Sequence, residues 1–192
     1  MCRRCPRAGQ SATLLNNGQV LIAGGTSATA AAELYNPATG KFTATGSMIS
    51  AAGTNTGTLL PDGDVLVTGG SPTFAELYHP ATGQWSNASA GLATCQPNTA
   101  CRGGSTTTLL PTGNVLLAGG FVGLFQNVAT TASAQLYHPA TNTWTSTGPM
   151  TTPREDQTAT LLPDGQVLIA GGTNFQHPHA PIFLASAELY TP

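Results

Sequence analysis

Short apolar runs recur along this chain, and four nearly identical runs each end in a pair of glycines. These runs span residues 19–25, 64–70, 114–120 and 166–172, and their second glycines lie 45, 50 and 52 residues apart. A Leu-Leu pair precedes each run, and an Ala-Glu-Leu-Tyr or Ala-Gln-Leu-Tyr segment follows it. Because the runs are apolar on both alternating faces, each predicts a strand whose sheet is covered on both sides. Recurrence at this spacing predicts stacked repeats of one small unit.

Each repeat predicts four short strands, which we label A to D. Strand A carries the Leu-Leu pair, strand B ends at the glycine pair and strand C ends at a tyrosine; in the first three repeats strand D begins at an aromatic residue seven positions later. Asn17-Gly18 and Asp62-Gly63 join A to B and favour type I′ hairpin turns, because Asn, Asp and Gly accept a positive φ. No segment has a helical period. The sequence therefore predicts an all-β chain, a single domain of residues 1–192 with repeats at about 7–50, 51–101, 102–153 and 154–192.

The order Leu-Leu, turn glycine, Val-Leu-x-x-Gly-Gly, Tyr and Trp resembles the kelch repeat, over nearly the whole chain. The motif Thr-Leu-Leu-Pro-Asp-Gly-x-Val-Leu-x-x-Gly-Gly is similar to that of bacterial kelch proteins related to the central domain of galactose oxidase. The resemblance implies a kelch-type β-propeller of four-stranded blades. Kelch propellers usually have six or seven blades, whereas four repeats are present here and the last stops before its strand D. Since an unpaired blade edge invites pairing, we favour a fragment of a larger propeller, with ring closure by self-association as the alternative.

Composition narrows the class of function. Only 7% of the residues are charged and the net charge is -2, which argues against a nucleic-acid partner, since nucleic-acid-binding surfaces are basic. No apolar stretch reaches the roughly 18 residues of a membrane span. A surface of Thr, Ser, Ala, Asn and Gly favours an extracellular or cell-surface protein, although no signal-peptide pattern is present and a cytoplasmic location is the alternative. Cys95 and Cys101 bracket a short polar loop, and in the extracellular context we predict a disulfide between them.

Loop lengths vary at one end of the predicted sheets. Strands alternate in direction, so the B–C and D–A loops share one rim, which we call the loop rim, and the short A–B and C–D turns share the other, the turn rim. Length variation is concentrated in the loop rim, in segments such as residues 87–104, 121–133 and 173–186. Repeat scaffolds usually present their ligand contacts in such loops. The loop rim is therefore the predicted binding surface.

Three arginines occupy one slot of the loop rim, seven residues before the Leu-Leu pair: Arg7, Arg102 and Arg154. The resemblance to kelch propellers implies that an arginine here can line the central mouth and contact an acidic ligand. The alternative is a structural ion pair with an acid of strand C, which starts at the same rim: Glu33, Glu76 or Glu188.

The long loops of the same rim carry aromatic and imidazole side chains. Phe125 and Phe175 are candidate ligand contacts, and so are His177 and His179. These two histidines form an HxH motif, whose spacing suits a shared metal ion. Because no third ligand stands nearby in the sequence, we predict no metal site.

The favoured function is a non-catalytic kelch module that uses no cofactor and binds a protein or a glycan through the loop rim. The alternative is a blade segment of a secreted copper oxidase similar to galactose oxidase, or of another carbohydrate-active enzyme, with catalytic residues outside this chain. That resemblance directs attention to Tyr78-His79 and Tyr137-His138, since such oxidases use a Tyr-His pair. However, both histidines open C–D turns on the turn rim, where Asn36 and Thr191 occupy the same slot. We interpret them as turn residues and predict no catalytic residue.

Overall fold

A computed structural model describes residues 8–25, 30–51, 53–69, 74–92, 100–123, 129–175 and 180–192. All regular secondary structure in these residues is β-strand. In chain order the strands are β1 (Ser11–Leu14), β2 (Val20–Ala23), β3 (Ala32–Asn36), β4 (Lys41–Ala44), β5 (Asn55–Leu59), β6 (Val65–Gly69), β7 (Phe74–His79), β8 (Gln84–Asn87), β9 (Ala100–Gly103), β10 (Thr106–Leu109), β11 (Val115–Ala118), β12 (Phe121–Gly123), β13 (Ala129–Thr130), β14 (Ala134–His138), β15 (Thr143–Ser146), β16 (Thr158–Leu161), β17 (Val167–Ala170), β18 (Thr173–Asn174), β19 (Ile182–Phe183) and β20 (Ala187–Tyr190).

Four successive antiparallel sheets follow the four repeats. Sheet I contains β1 to β4, sheet II β5 to β8, sheet III β10, β11, β14 and β15, and sheet IV β16, β17 and β20. Within each sheet the strands lie in the order A, B, C, D, and sheet IV has strands A to C. Two further small sheets, β9–β12–β13 and β18–β19, are formed by loops of the loop rim. The all-β prediction is confirmed, and the arrangement is compatible with a β-propeller-like fold.

The A–B turns contain the expected glycine and Asn or Asp residues, but their conformation differs from the predicted type I′ turn. Only the glycine of each turn has a positive φ, 81° at Gly18 and 92° at Gly63, whereas a type I′ turn needs two such residues. The amide of Gly18 donates to the Leu15 carbonyl at 2.9 Å, and Asn17 Oδ1 accepts from the Gln19 amide at 3.0 Å. The type I′ assignment is therefore wrong. The side-chain hydrogen bond holds Asn17 on the ordinary side of φ and leaves the left-handed position to glycine.

Neighbouring sheets pack face to face and approach each other closely at their A strands, where β1 lies against β5, β5 against β10 and β10 against β16. Three apolar clusters fill the junctions, with Leu21, Val65 and Val67 at the first, Leu66, Val115 and Leu117 at the second, and Leu116, Val167 and Ile169 at the third. This accounts for strands B that are apolar on both faces. Over the described residues no comparable contact joins β16 to β1, so they do not form a closed ring.

The aromatic residues of strands C and D lock each sheet to the one before it. The rings of Tyr78 and Trp85 pack at a tilt of 51° with centroids 5.1 Å apart, and Trp85 Nε1 donates to the carbonyl of Gly46 in the preceding sheet's D–A loop at 2.8 Å. Trp144 Nε1 makes the equivalent bond to the Ala88 carbonyl at 2.7 Å. Buried indole N–H groups need such acceptors. Among the described residues no helix is long and apolar enough to cross a membrane.

Candidate functional site

A cavity of about 430 Å³ opens on the loop rim, between the first residues of the four A strands. We call it the axial cavity, because every sheet contributes to its wall. Its lining residues are Gly9, Gln10, Thr54, Asn55, Thr56, Gly104, Ser105, Asp156 and Gln157. Four of these hold one repeat slot, four residues before the first leucine of the Leu-Leu pair: Gln10, Asn55, Ser105 and Gln157. This polar slot was not among the predicted contacts, although a polar residue stands in it in all four repeats.

The wall of the axial cavity is polar and carries no cation among the described lining residues. Hydroxyl and amide groups dominate it, and Asp156 adds an exposed carboxylate. Asp156 has a φ of 53°, and its backbone amide donates to the Gly104 carbonyl at 2.8 Å. Gly104 has a φ of 67°, a left-handed conformation that favours glycine where sheets III and IV meet. The cavity thus offers hydrogen-bonding groups of both kinds and one negative charge.

Two side-chain amides brace the wall and leave acceptor oxygens unpaired. Asn55 Nδ2 donates to the Ala23 carbonyl of the preceding sheet at 3.2 Å, and Gln157 Nε2 donates to the Ala118 carbonyl at 2.9 Å. Each bond ties the start of an A strand to the end of strand B in the sheet before it. Asn55 Oδ1 and Gln157 Oε1 are buried and have no hydrogen-bond partner. A buried acceptor without a partner costs about 1–3 kcal/mol, so a hydrogen-bond donor that reached either oxygen would offset part of that cost.

An acidic and aromatic row lies beside the axial cavity. Glu155 pairs with Thr173 through two backbone hydrogen bonds of 2.9 Å, and Thr173 pairs in turn with Phe183 of β19. Residues directly opposite each other on antiparallel strands project to the same face. Phe183 is 82% exposed and its neighbour Ile182 is 63% exposed. Burial and the neighbouring carboxylate of Asp156 raise the pKa of Glu155, partly offset by a hydrogen bond from the Thr173 side chain.

Arg154 is fully buried and faces sheet IV. Its guanidinium donates to Glu188 Oε1 at 2.7 Å, to the Gly171 carbonyl at 2.8 Å, and to the Ser186 carbonyl and hydroxyl, each at 3.2 Å. This is the ion pair that the sequence analysis named as the alternative to a ligand contact. Burial alone would raise the pKa of Glu188, but hydrogen bonds from the Thr151 and Thr152 amides and from Arg154 lower it to about 2.

The strand C acids clamp the D–A loop of the preceding sheet. The carboxylate of Glu76 accepts from the amides of Ile49 and Ser50 at 2.8 and 2.6 Å, in the same way that Glu188 accepts from Thr151 and Thr152. In sheet III the slot holds Gln135, whose Nε2 instead donates to the Gly91 carbonyl at 3.3 Å. In sheets II, III and IV a side chain of strand C therefore fixes the backbone of the preceding D–A loop.

The other predicted contacts are only partly within the described residues. The backbone of Phe175 exchanges hydrogen bonds with Thr130, so it links the B–C loops of sheets III and IV, and its side chain is half-buried. Arg102 and Cys101 lie in β9, where only the backbone is described. The remaining candidates lie outside the described residues: Arg7, Phe125, His177, His179 and Cys95. Their roles, and the Cys95–Cys101 disulfide, stay predictions.

His79 takes part in a hydrogen-bonded row on the turn rim. Its Nδ1 lies 2.7 Å from Asp64 Oδ2 and its Nε2 lies 2.8 Å from Ser86 Oγ. This is the order of contacts in a Ser-His-Asp triad, which the sequence analysis did not anticipate. The next sheet carries the same row as Asn114, His138 and Thr145, at 3.2 and 2.7 Å. Because amide and threonine groups fill the row equally well, we interpret it as a cross-strand ladder that fixes the C–D turn.

Comparison with known proteins does not assign a function to this chain. No protein-family model matches this chain, and no curated protein matches its sequence. Within the described part of the chain, no three His, Cys, Asp or Glu side chains are grouped so that they could hold a metal ion.

Proposed function

We propose that this chain is a non-catalytic kelch-type β-propeller module that binds a glycan in the axial cavity. The observation that carries the proposal is the convergence of polar groups from all four sheets on one open cavity of about 430 Å³. Ligand sites in repeat folds lie where variable loops meet a rigid scaffold. The axial cavity is on the loop rim, where the four A strands begin.

The chemistry of the wall favours a neutral, hydroxyl-rich ligand. Sugar hydroxyls both donate and accept, which suits a lining of hydroxyls, amides and the Asp156 carboxylate. An anionic ligand would meet that carboxylate without a compensating cation among the described lining residues. Phe183 pairs with Thr173, which pairs with Glu155 next to the lining residue Asp156, so an exposed aromatic ring lies two strands away from the cavity residue Asp156 on the same rim. The electron-rich face of an aromatic ring attracts the polarised C–H groups of a pyranose. A glycan ligand also agrees with an extracellular or cell-surface location, which the composition favours.

A protein ligand is the second candidate, and one observation favours it. Ile182 and Phe183 form an exposed apolar pair on β19, and exposed apolar groups next to a polar rim are typical of protein-binding surfaces. A protein ligand would bury both side chains and would depend on Ile182 at least as strongly as on the axial cavity. A glycan that stacks on Phe183 would not depend on Ile182.

The test is a glycan array followed by calorimetry with the best-bound glycan. Asp156→Asn keeps the shape and tolerates the positive φ but removes the charge, and we expect about a tenfold loss of affinity, or roughly 1.4 kcal/mol. Asp62→Asn on the turn rim is the matched control and should bind normally. If no glycan binds, or if both variants bind as well as the wild type, the axial cavity is not a glycan site.

The copper-oxidase alternative needs residues outside this chain and remains a prediction. Its test is the metal content of the longest natural form of the protein and the release of hydrogen peroxide on galactose. The proposed binding module predicts neither copper nor peroxide.

A further inference from the structure

The wall of the axial cavity offers metal ligands of one kind only. Its described lining residues carry hydroxyl, amide and carboxylate oxygens, and none of them carries a thiol, an imidazole or a basic group. Hard cations such as Ca²⁺ bind carboxylate, amide and water oxygens, whereas softer metals prefer thiolate or imidazole ligands. The described wall therefore provides ligands for a hard cation and none for a soft one.

Two amide oxygens of this wall are buried without a donor. The Ala118 carbonyl can only accept, so its bond with Gln157 Nε2 at 2.9 Å fixes which end of the amide is nitrogen. Gln157 is 5% exposed, and its Oε1 has no hydrogen-bond partner among the described residues. Asn55 repeats the arrangement, with Nδ2 bonded to the Ala23 carbonyl and Oδ1 buried without a partner. Buried polar groups nearly always have a partner, and a cation satisfies several acceptors at once.

The carboxylate of Asp156 supplies the negative charge that a cation site needs. Asp156 lines the cavity and has no counterion in the part of the chain that the structure describes. Arg154, two residues before it, is buried and paired with Glu188. Burial, and then the charge of Asp156, raise the pKa of the neighbouring Glu155. This side of the cavity is therefore negative and is not neutralised by the described side chains.

Sheets II and IV bring oxygen atoms to the same dipeptide, Gly103-Gly104, which leads into β10. A Cβ on Gly103 would lie 2.9 Å from Thr54 Oγ1, and a Cβ on Gly104 would lie 2.8 Å from Asp156 Oδ1. The hydroxyl of one sheet and the carboxylate of the other thus approach one short stretch of backbone. Ca²⁺ accepts about six to eight oxygens in flexible geometry, whereas Mg²⁺ demands a near-ideal octahedron. Ligands contributed by separate sheets therefore suit Ca²⁺ better than Mg²⁺.

We propose that the axial cavity binds a Ca²⁺ ion through the Asp156 carboxylate and the amide oxygens of Asn55 and Gln157, with water in the remaining positions. A single carboxylate among neutral ligands predicts weak binding, with a Kd of about 10⁻⁴–10⁻³ M, which is typical of extracellular modules. The donor set differs from a group of three His, Cys, Asp or Glu side chains, of which the described residues have none. The ion site goes beyond the glycan proposal and does not depend on it, because its protein ligands all belong to this chain.

Amide chemical shifts during titration with CaCl₂, in the absence of any glycan, test the proposal, and MgCl₂ at equal ionic strength is the comparison. We expect shifts that saturate with Ca²⁺ at residues 55, 104 and 156–157, and no saturation with Mg²⁺. Asp156→Asn should weaken Ca²⁺ binding about tenfold or more, because it removes the charged ligand. Thr54→Asp adds a second carboxylate at an exposed position of the wall and should strengthen binding about tenfold. This gain is a result that a misfolded variant would not give. Asp62→Asn on the turn rim is the matched control and should keep the wild-type Kd.

Three results would overturn the proposal. Equal shifts with CaCl₂ and MgCl₂ would show a response to ionic strength alone. Asp156→Asn that binds Ca²⁺ as tightly as the wild type would exclude the carboxylate as a ligand. Saturable shifts centred on the turn rim would place the ion elsewhere. Because no glycan is present, failure of this titration leaves the glycan-array result unaffected, and a negative array leaves the titration unaffected.

Discussion

Substitution of Glu188 by glutamine should reveal the contribution of the buried Arg154 to stability. In the wild type the Glu188 carboxylate receives the guanidinium at 2.7 Å and two backbone amides of the preceding D–A loop. Glutamine keeps the size of the side chain but removes its charge and one acceptor oxygen. The arginine is then buried without a counterion, and its Nε has no partner even in the wild type.

The magnitude follows from the burial of the two partners. Breaking a buried ion pair by removing one partner costs about 3–5 kcal/mol, because the other charge stays desolvated. The Arg154 side chain is 0% exposed but that of Glu188 is 16% exposed, so we expect the lower end, about 3 kcal/mol. Glu76→Gln is the matched control, since Glu76 clamps two amides of the equivalent loop and has no arginine in the corresponding slot, where the sequence has Ala52. For this control we expect about 1–2 kcal/mol.

Urea unfolding followed by tryptophan fluorescence provides the assay, because Trp85 and Trp144 lie at the first and second junctions. We expect Glu188→Gln to cost more than Glu76→Gln by about 1 kcal/mol or more. A double variant, Arg154→Met with Glu188→Leu, should recover part of the loss, since apolar replacements remove the buried charge altogether. Equal costs for the two glutamine variants would refute the claim that the arginine charge is desolvated.

Three further predictions follow from individual contacts. Gly46→Ala should destabilise the protein by more than about 2 kcal/mol in urea, because the new Cβ would lie 2.1 Å from the backbone oxygen of Gly83 in sheet II. Gly148 holds the same slot in sheet III and has open space around it, so Gly148→Ala is the control and should change stability by less than about 0.5 kcal/mol. The pKa of Glu188 is about 2 when folded against 4.5 ordinarily, so its contribution to stability is present above pH 4.5 and is lost as the pH falls toward 2. Urea unfolding should show a loss of about 3 kcal/mol over this range that the glutamine variant lacks. Ser86→Ala should lower the free energy of unfolding by about 1 kcal/mol, because it removes the hydrogen bond to His79. Ser86 should not react with a fluorophosphonate probe. Labelling of Ser86 that disappears in His79→Ala would show that the row is catalytic.

The sheets could be predicted because their signals are local. Leu21 and Val65 are buried where the apolar runs and the glycine pairs placed strand B. The type I′ turns were wrong because the side chain of Asn17 bonds its own backbone, a choice that the dipeptide alone does not reveal.

The binding rim could be located from loop lengths, but the cavity in it could not. Its wall consists of small polar residues such as Thr54 and Ser105 that carry no hydrophobic or catalytic pattern. They come together only because four sheets converge at their A strands. Arg154 shows the same limit, since an arginine at that slot suits a ligand contact and an ion pair equally well until its burial is known.

Amide chemical shifts during titration with the glycan selected on the array report whether the axial cavity is the ligand site. If it is, the shifts are concentrated in the cavity wall, at residues 9–10, 54–56, 104–105 and 156–157, together with Phe183, and the turns of the opposite rim do not shift. Shifts centred on the turn rim, or on the β19 pair without the cavity wall, would contradict it.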